Sequence, residues 1–192
     1  MSSAISPQTR PRADFTVGAV GHRFLPAERS SLLSAITRTL QELADRRPCD
    51  LTRMELLVSV AEGADRLFIE AAAALGIAYT CVLPCSSACF EEDFDSSASI
   101  EHFHGLLAGA EAIVQPDSEH VDRVGGYLWA SHYIVDRADV LVAVWDGAPA
   151  NGPAGTGDSV TNAGARRIPI IWIPTDAPHE PVELIAASSR SD

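Results

Sequence analysis

The feature that most constrains this chain is a series of nearly continuous apolar runs separated by longer mixed stretches. "FTVGAV" (15–20), "MELLVSV" (54–60), "IAYTCVLP" (77–84), "DVLVAVWD" (139–146) and "RIPIIWIP" (167–174) do not alternate apolar with polar residues. A strand with one wet face alternates, whereas a strand covered on both faces does not. Between the runs lie segments of helical length. Within 26–46, Leu32, Leu33, Ile36, Leu40 and Leu43 recur at helical spacing, and Pro26 suits a first helical turn. Residues 64–76 predict a helix closed by Gly76. Further helices are expected over 100–110, 122–138 and about 157–166, with "EAIVQP" (111–116) as a short fourth strand. The order strand–helix repeats with no tight-hairpin signal. It predicts an α/β fold: a Rossmann-like, doubly wound, mostly parallel sheet of about six strands with helices on both faces.

A chain of 192 residues suits one domain with a sizeable core. We place that domain at 14–175, with 1–13 as a disordered polar arm and 176–192 as a polar C-terminal tail. The net charge of −12 opposes a nucleic-acid backbone or an anionic membrane, so neither is expected as a partner. A small anionic ligand is compatible with it, because backbone N–H groups bind phosphate inside acidic proteins. No apolar run approaches the roughly 18 residues of a membrane span, and the N-terminus lacks a signal-peptide core, which reads as cytoplasmic. Cys49, Cys81, Cys85 and Cys89 form no CxxC pair and read as ordinary reduced thiols. No metal site is expected: His102 and His104, two apart, point to different helix faces.

In a doubly wound sheet, ligands bind beyond the carboxyl ends of the strands. "GHRF" (21–24) follows the first strand, "AEGAD" (61–65) the second, and "WDG" (145–147) with "GPAGTGD" (152–158) the fifth. Gly155 and Gly157 permit close backbone approach, and Thr156 offers a hydroxyl at a helix start whose free N–H groups favour an anion. The same loop also reads as a plain turn with Thr156 capping the helix. Gly21 suits a tight turn. Arg23 suits a phosphate or a surface ion pair, and His22 an anion or a backbone carbonyl. Glu62 and Asp146 could grip ribose hydroxyls or act as bases, and Asp146 could equally cap the next turn. Gly63, Asp65 and Gly147 complete the expected ligand-binding set. Asp65 is also explained as a first-turn acid favoured by the helix dipole. Trp129, Trp145, Trp172, His132 and Tyr133 read best as packing residues.

Taken in order, "TVGAVGHRFL", "VAEGADRLFIEAA" and "DVLVAVWDGAPANGPAGTGDSVTNA" resemble the SLOG superfamily over residues 15–174. That group includes the Lonely Guy phosphoribohydrolases and the DprA-like Rossmann proteins. The resemblance implies a Rossmann-like sheet binding nucleotides or nucleotide-derived ligands, as a bacterial hydrolase or sensor. The phosphate motif Gly-Gly-x-Gly-Thr-x-x-Glu of the family matches at Gly155 and Thr156. Its second glycine falls on Pro153, and its glutamate, implicated in catalysis, on Ser159. Asp158 comes one residue early, about 100° away around a helix.

Two functions follow. The first is a module that binds a nucleotide without turning it over, with phosphate on Gly155, Thr156 and Gly157 near Arg23. It needs no cofactor, and its signal would be read by a homo-oligomer or a separate effector protein. The second is an N-glycoside hydrolase or transferase acting on nucleoside 5′-monophosphates or related nucleotides. Glu62, Asp146 or Asp158 would then be its catalytic carboxylates, stabilising an oxocarbenium-like state.

Overall fold

The computed structural model describes residues 13–25, 28–46, 50–117, 122–150 and 152–184. Pro26, Cys49 and the arm before residue 13 lie outside them. The apolar runs become strands β1 (Phe15–Gly21), β2 (Met54–Val58), β3 (Ala78–Val82), β4 (Ala112–Val114), β5 (Val140–Trp145) and β6 (Ile170–Pro174). The helices are α1 (Arg29–Asp45), α2 (Ala64–Leu75), α3 (Ser87–Glu91), α4 (Ser97–Gly109), α5 (Arg123–Arg137) and α6 (Thr156–Ala165). A 3-10 turn (Leu51–Arg53) leads into β2. A seventh strand, β7 (Val182–Glu183), pairs antiparallel with β6. It lies in the stretch read as a tail and was illegible because two exposed residues carry no periodicity.

The sheet order is β4-β3-β2-β1-β5-β6-β7, with β1 to β6 all parallel. Strand order reverses between β1 and β5, so the crevice beyond their carboxyl ends is the place a ligand is expected. The alternation of side chains explains the continuous apolar runs. On β5, Val140, Val142 and Val144 face one core with α1 and α2, while Leu141 and Ala143 face the other with α5 and α6. Both faces are buried, so no position on the strand is free to be polar.

Local signals end the helices where chemistry demands. Gly76, at φ 71°, closes α2, as its place in the sequence predicts. Ser86, Ser96 and Asp122 cap α3, α4 and α5 through their side chains. The first α4 residues belong to the acidic-aromatic connection, whose Phe90 and Phe94 form a buried ring cluster with Phe103, centroids 5.1–5.7 Å apart. Here the cysteine expectation is corrected: Cys85 and Cys89 form a disulfide. Cys85 stands just before the Ser86 cap of α3 and Cys89 inside the helix, and the chain entering that first turn brings their Cα atoms to 6.0 Å. Cys81 is free and buried, and desolvation pushes its thiol up to about 12.

Candidate functional site

A cavity of about 620 Å³ opens beyond the carboxyl ends of β1, β2 and β5, within the size range of small-ligand sites. Gly21, His22, Arg23, Asp65, Asp146, Gly155, Thr156 and Gly157 all line it. Glu62, Gly63, Gly147 and Asp158 are not among the lining residues.

The β1–α2 corner is held by glycine and by charge. Gly63 has φ 86°, and a Cβ there would collide with the carbonyl oxygens of His22 and Arg23. The Ala64 N–H in turn donates to the His22 carbonyl at 3.0 Å. Arg23 is not a free cation: its guanidinium donates to the Glu62 carboxylate at 2.6 and 3.1 Å and to the Asp93 carbonyl. Glu62 also accepts from the Ser99 hydroxyl at 2.5 Å. Ser99 and then Arg23 hold its carboxyl below the usual range. Glu62 therefore ties β2 to the α3–α4 segment.

Asp65 stands in the first turn of α2 and is only 6% exposed. Burial raises its carboxyl to about 7, against smaller lowering effects from the Ala61 backbone and Arg66. It is the lining acid poised to exchange a proton near neutral pH. Beside it, Arg66 donates to the Ser99 carbonyl at 3.2 Å and stacks 4.9 Å from the Phe94 ring centroid.

The opposite wall is the loop after β5. Trp172 donates to the Trp145 carbonyl at 2.7 Å, and Trp145 to the Ala148 carbonyl at 2.8 Å. Gly147, at φ 82°, turns the chain against Trp172. Asp146 accepts from the Ala148 N–H at 2.9 Å and lies 3.0 Å from His22 Nε2. Those contacts, the backbone one first, hold its carboxyl below the usual range. Gly155 is the N-cap of α6 and Thr156 its first residue, with no side-chain capping bond. Thr156 and Gly157 therefore bring to the cavity lining two of the first-turn N–H groups that a helix start leaves without an intrahelical partner. A Cβ on Gly157 would stand 2.7 Å from the Ala150 nitrogen and 2.9 Å from the Ala148 carbonyl oxygen. Asp158 turns back to accept from the Ala154 N–H at 3.1 Å.

Sequence reasoning missed the third wall. Phe90, Phe94 and Tyr127 line the cavity, as does Asp93, which accepts from Tyr127 and Arg123. The acidic-aromatic composition of 85–99 was the available signal, but only folding shows which rings face the cavity. Ser131 and Ser159 were missed as well. Their hydroxyls lie 2.8 Å apart. Among the described residues no cluster of three His, Cys, Asp or Glu side chains could hold a metal, and no helix is long and apolar enough to cross a membrane.

No family model and no curated protein matches the chain. Solved structures do. DNA processing protein A (DprA) from Streptococcus pneumoniae aligns with TM-score 0.57 and 14% identity, over 85% of this chain and 52% of that one. DNA processing protein A from Helicobacter pylori, reported for its single-stranded DNA binding mode, aligns with TM-score 0.55 and 17% identity, over 88% and 69%. The protein TM1055 aligns with TM-score 0.51 and 15% identity, over 86% and 76%. The chain spans about half the length of the Streptococcus pneumoniae protein.

The expectation that nucleic acid is excluded as a partner is overturned by this likeness, since the Helicobacter pylori protein of the same fold binds single-stranded DNA. The physical reason is that net charge sums the whole surface, whereas a strand meets only the groups of one cleft. The parallel sheet, the switch-point cavity and these neighbours agree: the chain has a Rossmann-like fold similar to that of the two DNA processing proteins and TM1055.

Proposed function

We propose that the cavity binds a nucleotide or nucleotide-derived ligand and holds it without turnover. The observation that carries this reading is one cavity combining a glycine loop at the start of α6 with an aromatic wall of Phe90, Phe94 and Tyr127. Backbone N–H groups of Thr156 and Gly157 take the phosphate, and the half-buried Tyr127 ring, backed by the buried Phe90 and Phe94, meets the base. Asp146 and Asp65 face the sugar. The hydrolase alternative is less favoured because its carboxylates are dispersed. Glu62 is bound to Arg23 and Ser99, Asp158 accepts from Ala154, and only Asp146 of the three lines the cavity. A second reading, binding of a single strand of nucleic acid, is favoured by the Helicobacter pylori neighbour.

Native mass spectrometry after incubation with a pool of nucleoside monophosphates, NAD, ADP-ribose and short oligonucleotides tests all three. Retention of an intact small nucleotide, lost in Gly155→Trp, is the expected result. Release of free base and ribose phosphate would establish the hydrolase instead. Retention of the oligonucleotide alone would establish the single-strand reading. Affinity unchanged by Gly155→Trp would overturn the placement of the phosphate.

A further inference from the structure

The charges around the cavity restrict which nucleotides it can hold, an inference that rests on the nucleotide-binding reading above. The sequence contains no lysine, so apart from histidine every side-chain cation is an arginine. The acidic and basic side chains lining the cavity are His22, Arg23, Asp65, Asp93 and Asp146. Carboxylates therefore outnumber the one guanidinium, and that guanidinium is already bound to Glu62 and to the Asp93 carbonyl. Behind the loop, Asp158 sits in the first turn of α6 and accepts from Ala154, so the helix start carries an anion of its own.

A phosphate seated on this loop is bound by N–H dipoles rather than by a mobile cation. One phosphate charge is accommodated in this way. Asp93 is paired with Arg123, so every further charge enters chiefly the field of Asp146, held by His22 and the Ala148 N–H, with no uncommitted arginine among the lining residues to follow it. At separations of roughly 7 Å and an effective dielectric of about 40, each added charge weakens binding about five- to tenfold.

We infer that the cavity takes a monoanionic phosphodiester, such as a cyclic mononucleotide or one linkage of a short strand, in preference to nucleoside di- and triphosphates. The chemistry shared by these two sources is a single phosphate charge flanked by sugar.

The test is isothermal titration of the full chain in EDTA, with adenine, guanine, cytosine and uracil forms of five probes. The probes are the 3′,5′-cyclic monophosphate, the dinucleoside monophosphate, and the 5′-mono-, di- and triphosphates. The expected series has one of the two diesters tightest, with affinity falling about five- to tenfold at each added charge. Which diester leads distinguishes the free nucleotide from the strand. Asp146→Asn should compress the series, and so should raising the salt, because both weaken the repulsion. A triphosphate that binds as tightly as the diesters overturns this inference alone. If no probe binds, the nucleotide-binding reading falls, and this inference falls with it.

Discussion

The two sides of the cavity are built from opposite materials. The β1–α2 corner and the α3–α4 segment are joined by side chains: Arg23, Glu62, Ser99, Asp93, Arg123 and Tyr127 form one connected network. The β5–α6 loop is joined by its backbone and by two tryptophans, and it puts glycine and alanine against the cavity. The difference teaches which side keeps its shape and which side has backbone groups left to offer. A network of charge-assisted bonds fixes a wall but leaves its polar groups already used. A glycine loop brings N–H groups within reach of a ligand because nothing projects in front of them.

Four substitutions bear on this contrast. Gly63→Ala should have the largest effect, because it strains a positive φ and drives a methyl into two carbonyls. We expect a loss of about 4 kcal/mol in urea unfolding. A loss below about 1 kcal/mol would mean that the corner is pliable, and the contrast would fail.

Asp65→Asn comes next, and its effect depends on pH. The folded-state value of about 7 lies above the ordinary 3.8, so the native state holds the proton more tightly than the unfolded chain does. Below about pH 4 both states are protonated and the carboxyl costs nothing. Between about pH 4 and 7 the unfolded chain ionises first and stability falls, and above 7 the cost is complete. A neutral amide at this position escapes that cost, so the substitution should stabilise by about 2–3 kcal/mol at about pH 8 and leave stability at about pH 4 nearly unchanged. Equal melting shifts at both pH values would show that the Asp65 carboxylate is already ionised.

Glu62→Gln should cost about 1 kcal/mol, because the Arg23 pair is about one-third exposed and partly screened. It should also raise hydrogen exchange in 87–99 more than in 147–157. Exchange rising equally in both would dissolve the boundary between the two sides. Thr156→Ala should change stability least, within about 0.5 kcal/mol, while weakening nucleotide binding about tenfold in calorimetry. Unaltered binding would confine the loop's contribution to its backbone.

Legibility in the sequence followed the same division. His22, Asp146 and the Gly155–Gly157 loop were readable because each follows a buried apolar run, and in a parallel sheet all carboxyl ends share one edge. Arg23 was readable as a residue at the strand ends but not as a neutralised one, since Glu62 lies 39 residues away and Asp93 lies 70. Phe94 and Tyr127 come from separate elements and meet only because α5 and the α3–α4 segment pack above the same strand ends. The disulfide between Cys85 and Cys89 depended on whether a helical turn forms there.

By itself, then, the sequence determined the layer architecture and the sheet edge at which the cavity opens. Apolar periodicity reports how many faces of an element are buried, and the strand–helix order leaves few ways to bury them. The tertiary structure decided which charges are spent and which groups face the cavity. Those outcomes depend on contacts between residues far apart in the chain, and no local pattern encodes them.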